Sequence, residues 1–425
     1  MRIPLIHGLV MARNEWPLLE VAVTHALVHH VDMVHVLDHA STDGTPAGLA
    51  RLRREWGDRL EVVHLGECPY LQEAAMSLLR TIVAAAPDDW LYVFDADEFG
   101  ITGSEATLRD LLADVDPRHD AVRYDVHNWV APTEFSTADM AGYDTLRHRA
   151  APAVFLPVSP QLLADEIVAG AMNYFDVPFD SKVIVRGSAT GWIAAGAHRV
   201  AGDAALVEAR LPADAFRVAH LPLLGRDRLD LRADQGLAYI ANDFPPGHGW
   251  QSQMVADVAA GDGLDAFWER HSLGRRPLPP EQGGPVVVRD DSLAPLLTRT
   301  LEAVRATRVA TACHEDTVAE GPQPADGDVV AAALRSIRSL QDLACRLDRD
   351  LSARTEAEAA RLAPPAHRAR RSWRRRVARL FTRPLDRFRR GSADPSTSAD
   401  PAGEPDVIAL PSATAPPRRA IRSAA

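Results

Sequence analysis

The sequence predicts an α/β fold, a mostly parallel sheet with helices on both faces. Strand-length apolar runs alternate with segments of helical period over residues 1 to about 130. Acidic clusters close the second and fourth of those runs, where open sheets of this kind bind their ligands. The composition permits such a core. With 425 residues, 46% of them apolar and 25% charged, the chain is excluded from the class disordered throughout.

The elements follow in order. Ile3–Val10 is an apolar run of strand length, and Trp16–Leu27 carries apolar residues at helical spacing. Val31–Leu37 alternates and ends at Asp38. Thr45-Pro46 reads as an N-cap followed by proline at the first helical position, opening a helix to Trp56. Leu60–Leu65 is a third strand, Gln72–Ala86 a third helix and Trp90–Phe94 a fourth strand. Ser104 is expected to cap a helix over Glu105–Asp114. Strands then prevail, at Ala121–Val130, Lys182–Arg186 and Arg217–Leu221, before helices at Arg226–Ile240 and Gly263–Ser272. Pro277–Pro285 is a break rich in proline and glycine. Beyond it, Val330, Ala333, Ile337, Leu340, Ala344, Leu347 and Leu351 form a short heptad seam. That seam fits a coiled coil pairing two copies of the chain. It fits equally a helical hairpin packing back through Leu293, Leu297 and Leu301. Gly391–Ala425 has few large apolar residues and is expected to be disordered.

Charge is unevenly spread. The chain carries −11 overall, which argues against a dedicated nucleic-acid binder. Yet Arg361–Arg390 holds twelve arginines and one acid, Asp386, so this segment is +11 and the remainder −22. Within it Trp373, Val377, Leu380 and Phe381 make an apolar stripe on a basic helix, which suits an anionic membrane surface. Attraction to the acidic body explains the same charge, and RNA is a third reading without a recognisable module. Three cysteines, Cys68, Cys313 and Cys345, stand too far apart for a zinc motif or a disulfide framework, and a reduced compartment fits them. Pro4, His7, Arg13 and Asn14 interrupt the N-terminal apolar run, so no signal peptide is expected. No run reaches the roughly 18 apolar residues of a membrane span. These observations point to the cytoplasm, with attachment at the inner face of the membrane if the basic segment binds lipid.

Two clusters carry the chemistry. Asp38 ends the second strand, and Asp95-Ala96-Asp97-Glu98 directly follows the fourth. Carboxylates spaced D-x-D after a buried strand can hold Mg²⁺ or Mn²⁺ through oxygen, with water and substrate phosphate completing the shell. The cation then neutralises charge on a departing diphosphate. An acidic strand end made only for a turn has the same local sequence.

An ordered set of motifs goes further. Met11-Ala12-Arg13-Asn14-Glu15, the stretch from Asp38 through Ser41-Thr42-Asp43-Gly44-Thr45, and Asp95-Ala96-Asp97-Glu98-Phe99 resemble the family 2 glycosyltransferases. More narrowly they resemble the bacterial branch reading R-N-E … D-x-x-S-x-D-G-T … D-x-D-E-F. Ser181–Arg186, Gly196-Ala197-His198 and His220-Leu221-Pro222 with Arg226 extend the resemblance over about residues 1 to 275. It implies a GT-A fold, a nucleotide-sugar donor and inversion at the transferred carbon. By the resemblance Asp38 holds the base or ribose, and Arg13 and Glu15 meet the nucleotide. Asp97 ligates Mn²⁺ or Mg²⁺, with Asp95 lining the same site. Many members carry a second aspartate where this chain has His39. A third metal contact from a downstream histidine is implied, with His198 and His220 as candidates. Lys182, the chain's only lysine, is expected either near the diphosphate or on the surface. The general base is an Asp or Glu after D-x-D; Asp180 is favoured over Asp176 and Asp165-Glu166.

The resulting expectation is a GT-A domain over 1–275, a linker over 276–290 and a helical region with the heptad seam over 291–360. An Arg-rich amphipathic segment at 361–390 and a disordered tail at 391–425 complete it. The function expected is metal-dependent transfer of a sugar to a hydroxyl on a glycan or lipid-linked acceptor of the cell envelope. A non-catalytic module, a degenerate transferase domain tethering partners through the heptad helix and the basic tail, is the alternative. A sugar nucleotidyltransferase is disfavoured, because the loop after the first strand lacks the glycines that cradle a triphosphate.

Overall fold

A computed structural model describes residues 2–66, 71–103, 106–151, 159–202, 206–241, 249–274, 284–312 and 333–339. The elements begin with β1 (Ile6–Ala12), α1 (Leu18–His29), β2 (Met33–His39), α2 (Thr45–Trp56), β3 (Leu60–Leu65), α3 (Gln72–Val83) and β4 (Trp90–Val93). Next come β5 (Glu98–Thr102), α4 (Leu108–Ala113), β6 (Ala121–Asn128), β7 (His148–Ala150), α5 (Pro160–Val168) and β8 (Lys182–Arg186). Two short strands, β9 (Trp192–Ile193) and β10 (Val200–Ala201), pair with each other. Then follow β11 (Glu208–Arg210), β12 (Phe216–His220), α6 (Arg226–Ala241), α7 (Trp250–Ala260), α8 (Leu264–His271), β13 (Val287–Arg289) and α9 (Ala294–Ala312).

The main sheet runs β3-β2-β1-β4-β8-β6-β12-β5, with β11 beside β6. Pairings β1–β2, β1–β4, β2–β3, β6–β11 and β6–β12 are parallel, while β8 runs antiparallel to both β4 and β6, and β5 to β12. The fold is therefore mixed α/β with a mostly parallel sheet, as the strand–helix alternation predicts. Strands covered on both faces lose the polar/apolar alternation of half-exposed ones. Accordingly β1 and β4 are buried along their whole length.

Helix α1 is buried on all sides along its residues from Leu18 to Leu27, polar Glu20, Thr24 and His25 included. The reason is a second layer: α9 packs over α1, burying Leu293, Leu297 and Leu301. Glu20, wholly buried on α1, is satisfied by Arg51 at 2.6 Å and Arg308 at 2.6 Å. The leucines therefore serve the packed-back arrangement. Of the heptad seam only Ala333 and Ile337 are described; Ala333 is exposed, while the adjacent Leu334 is fully buried. Arg338 pairs with Glu73 on α3. The rest of the seam, the Arg-rich segment and the tail lie outside the described residues.

Several local expectations shift. The helix expected to start at Glu105 begins at Leu108, capped by Thr107 in a reciprocal box with Asp110; Ser104 is outside the described residues. Gly44 rather than Thr45 precedes α2. The Thr45 hydroxyl instead accepts from the backbone N–H of Glu15 at 3.1 Å and of Trp16 at 3.2 Å, tying the α2 start to the β1–α1 loop. Strand β5 starts inside the acidic motif, at a point where the sequence reading places no strand. Within the stretch read as linker, β13 pairs with β7. Helices α6 and α7 lie so close that a Cβ on Gly236 would sit 2.1 Å from the Ser252 carbonyl oxygen. Among the described residues no helix is long and apolar enough to cross a membrane.

Candidate active site

A cleft of about 430 Å³ opens beyond the carboxyl ends of β1 and β4, as expected for an open parallel sheet. Sheet register assembles its polar wall. His220, the last residue of β12, stands opposite Glu98 on β5 and beside Asn128 on β6. The next backbone N–H, of Leu221, donates to the Asp97 carbonyl at 2.9 Å. Lys182 opens β8 and pairs with Tyr124. Its side chain runs under the acidic turn, and Nζ reaches Asp95 at 2.8 Å and Glu98 at 2.6 Å. The lysine is fully buried, so it is a structural counter-ion rather than a surface residue.

The helix after β12 contributes two further cations. Arg228 and Arg232 lie one turn apart on α6 and share a face. Arg228 is hydrogen-bonded to Glu15. Arg232 stops 3.6 Å from Asp97 Oδ2. Around the cleft, then, Glu15, Asp95, Asp97 and Glu98 face Lys182, Arg228 and Arg232. Asp97 is the carboxylate left without a direct hydrogen bond from a cation.

Ionisation follows from this arrangement. Burial opposes the charge on Asp95, but Lys182 outweighs it and holds the carboxyl below its usual range. Burial likewise works against the Lys182 ammonium, and Asp95 with Glu98 overcomes it, keeping the lysine protonated. Glu98 is pushed up by burial and by the nearby Asp95 and Asp97 charges. For Asp97, burial, with Asp95 and Glu15 adding and Arg232 opposing, raises the pKa to about 6.

Burial, reinforced by Lys182 and Arg232, holds His220 well below its ordinary value, so the ring is neutral. Its Nδ1 lies 2.8 Å from Asn128 Oδ1, an acceptor, and must carry the proton. Nε2 therefore presents a lone pair, 3.7 Å from Asp97 Oδ2. Two acceptors thus face each other across that gap. Bonds of about 2.1 Å from one ion would reach both.

Among the described residues no three His, Cys, Asp or Glu side chains converge as a ready metal cage. Asp97 and His220 instead form a pair suited to a cation that takes its other ligands from water and a phosphate. His198 lines the same cleft, but its Nδ1 is engaged with the Ser181 carbonyl at 3.3 Å. Phe179 touches both imidazoles in tilted arrangements, 4.2 Å from His220 and 5.4 Å from His198 by ring centres.

The remaining expected residues fall elsewhere. Asp38 is buried with both oxygens engaged: Oδ1 accepts from Ser41 N–H at 3.2 Å and Oδ2 from His64 Nδ1 at 2.9 Å. It lies at the end of β2 but does not line the cleft. Arg13 is exposed and also outside the lining. Its neighbour Asn14 does the local work: in a left-handed conformation (φ 57°), its Oδ1 accepts from Thr42 N–H at 2.7 Å. That bond joins the loops after β1 and β2. Asp180 is exposed, between Phe179 and Ser181. A second cavity, of about 310 Å³, shares Phe179 with the first and is lined by Asp125, His127, Asn128, Arg149, Phe175 and Ser181. Glu98 was named from sequence within the acidic motif without a role of its own. Arg228 and Arg232 were not singled out, because arginines four apart on a helix after a strand read equally as a solvated face.

No family model and no curated protein sequence matches the chain. Among solved structures it is similar to S. aureus TarS residues 1–349, at 15% identity and TM-score 0.30, over 60% of this chain and 70% of that one. It is similar to the mannosyltransferase PcManGT from Pyrobaculum calidifontis in complex with GDP-Man and Mn²⁺, at 14% identity and TM-score 0.32, covering 79% and 86%. GalNAc-T7 with UDP, GalNAc and Mn²⁺ matches at 11% identity and TM-score 0.32, covering 53% of this chain and 45% of that one. Likeness this distant assigns no family.

Proposed function

We propose that the protein is a nucleotide-sugar-dependent glycosyltransferase acting through Mn²⁺ or Mg²⁺. The observation that carries this reading is the pairing of Asp97 with the lone pair of neutral His220 at 3.7 Å, in a cleft that also holds Arg228 and Arg232. Such a set suits a polyanion bound through a divalent cation. The motif order R-N-E, D-x-x-S-x-D-G-T and D-x-D-E-F supports the same assignment, including the family 2 resemblance and the GT-A type of fold.

In this reading Asp97 and His220 hold the cation, with His198 as a further candidate ligand, and Asp95 lines the site against Lys182. Once bound, the ion neutralises charge on the departing diphosphate. Arg228 and Arg232 carry the rest of that charge. Glu15, Arg13 and Asp38 border the nucleotide, Asp38 through the loop it shapes. The acceptor enters from the side of the second cavity, where Phe179 divides the two spaces. Asp180, on that dividing segment, takes the proton of the acceptor hydroxyl as general base. The hydroxyl oxygen bonds to the sugar's anomeric carbon as the bond to the diphosphate oxygen breaks, and the nucleoside diphosphate leaves with the electron pair. One displacement inverts the centre. A glycan or lipid-linked acceptor of the cell envelope, and attachment to an anionic membrane through residues 361–390, complete the proposal.

The test is release of nucleoside diphosphate from UDP-, GDP- and dTDP-sugars with Mn²⁺, with and without simple glycan acceptors. Release from one donor, lost with EDTA and in Asp97→Asn, is the expected result. Release that survives both treatments removes the metal from the account, and no release from any donor removes the transferase.

A further inference from the structure

The two arginines of α6 hold their carboxylates differently. Arg228 is bonded directly to Glu15, with side chains 19% and 15% exposed. Arg232 approaches Asp97 only to 3.6 Å, which is attraction without a hydrogen bond. An arginine free to close on a carboxylate makes bonds of about 2.7–2.9 Å, commonly two in parallel. Arg232 does not, and its other polar contact is the Tyr174 hydroxyl. Its side chain is 23% exposed and borders the cleft.

The Asp97 oxygen that Arg232 approaches, Oδ2, is the same oxygen that faces His220 Nε2. A divalent cation between Asp97 and His220 would compete with the guanidinium for that atom. At such separations repulsion between the two cations is strong, because Asp97 is largely buried, with its side chain 17% exposed. Arg232 and the metal are therefore alternative counter-ions of Asp97. The guanidinium has a second use ready, since its planar fork matches a phosphate as well as a carboxylate.

We propose that Arg232 is an exchangeable counter-ion: in the ligand-free protein it occupies the cation's place at Asp97, and it passes to the donor's diphosphate when the metal binds. This rests on the transferase reading above and assigns a residue to it. Arg228 keeps its bond to Glu15, which is not one of the cation's ligands, and faces the diphosphate from there. The exchange makes binding of metal and nucleotide cooperative. Metal alone must displace Arg232 with nothing to receive it, whereas metal with a diphosphate gives the displaced guanidinium a new anion.

The experiment titrates MnCl₂ alone into the full-length protein, reading free Mn²⁺ by electron paramagnetic resonance, and then UDP, GDP, dTDP and CDP at saturating Mn²⁺ by calorimetry. Arg232→Gln is expected to bind Mn²⁺ alone at least about fivefold more tightly than wild type. The same variant should bind the preferred nucleoside diphosphate at least about tenfold more weakly, the loss of a charged hydrogen bond. Arg232→Lys keeps the charge without the fork, so it should retain wild-type Mn²⁺ affinity while losing nucleotide affinity. A residue with a merely structural role would lower both affinities together.

If wild type binds a nucleoside diphosphate with Mn²⁺ but Arg232→Gln binds Mn²⁺ no more tightly, the exchange is wrong and the transferase reading stands. If wild type binds none of the four nucleotides, the reading fails and the exchange fails with it.

Discussion

Two carboxylates separated by a single residue should respond to neutralisation with opposite signs. Asp97 has no direct hydrogen bond from a cation, and burial raises its pKa from 3.8 to about 6. A shift of about two units corresponds to about 3 kcal/mol by which the charged form weakens the metal-free fold at pH 8. The side chain is 17% exposed, so solvent screening removes little of this. Asp97→Asn keeps the shape and drops the charge. Because the amide must still be housed and Arg232 loses an anion, a gain of about 1–3 kcal/mol is expected, several degrees in Tm for a body of this size.

Asp95→Asn should do the reverse, since it takes one of two anions from the fully buried Lys182. Breaking a buried pair costs about 3–5 kcal/mol. Asp95 is about a third exposed and Glu98 remains at 2.6 Å, so about 1–2 kcal/mol is the better figure. Urea unfolding at pH 8 in EDTA, with wild type in parallel, measures both. Destabilisation by Asp97→Asn in metal-free protein would refute the reasoning, because it would make that carboxylate part of the scaffold.

Acid should destabilise the fold through three buried histidines. Burial holds His30 and His271 at about 3 and His25 well below its ordinary value, the last with help from the neighbouring His30 and His29. Unfolded, each returns to about 6.5 and binds protons the fold refuses, so stability is complete above that pH and declines as pH falls toward 3. The three together should remove about 4 kcal/mol per pH unit between pH 6 and 4. Asp97 and Glu98, raised in the fold, return about 1 kcal/mol each per unit over most of that range. A urea midpoint that stays flat or rises would contradict the net loss. Gly236→Ala places a methyl 2.1 Å from the Ser252 carbonyl oxygen, forcing α6 from α7. A loss of at least about 1–3 kcal/mol is expected, and nucleotide binding should weaken too because α6 carries both cleft arginines. Deleting Ala366–Ala425 should abolish sedimentation with anionic vesicles while leaving soluble-substrate activity intact. Retained vesicle binding would locate any lipid contact elsewhere.

What the sequence discloses is what depends on near neighbours. Continuous apolar runs such as Trp90–Phe94 and Val183–Val185 are legible, because a strand covered on both faces needs nothing but apolar residues. The turn Asp95–Asp97 is legible too, since a strand end and its carboxylates are adjacent in the chain. What stays hidden depends on register between distant segments. That β5 grows out of the acidic motif follows from its antiparallel pairing with β12, more than a hundred residues later. The same pairing brings His220 to Asp97, whereas His198 is engaged with Ser181. Asp38 is visible as a strand end, but its partner His64 sits on a neighbouring strand that only the β2–β3 register brings alongside. On α6 the sequence draws attention to Arg226, which bonds Asp265 and Asp230 away from the cleft. Arg228 and Arg232 follow on the inner face, and only the direction in which the helix docks tells them apart.

The central claim is that this cleft binds a nucleoside diphosphate through a divalent cation. A thermal-shift panel of UDP, GDP, dTDP and CDP, each with and without Mn²⁺, tests it most directly. At a hundredfold excess over its dissociation constant a ligand stabilises the fold by about 2.7 kcal/mol, a shift large enough to read without ambiguity. The account predicts that one nucleotide raises Tm with Mn²⁺ present and not in its absence, and that Asp97→Asn loses the effect. Equal stabilisation with and without the metal, or none from any nucleotide, would contradict it.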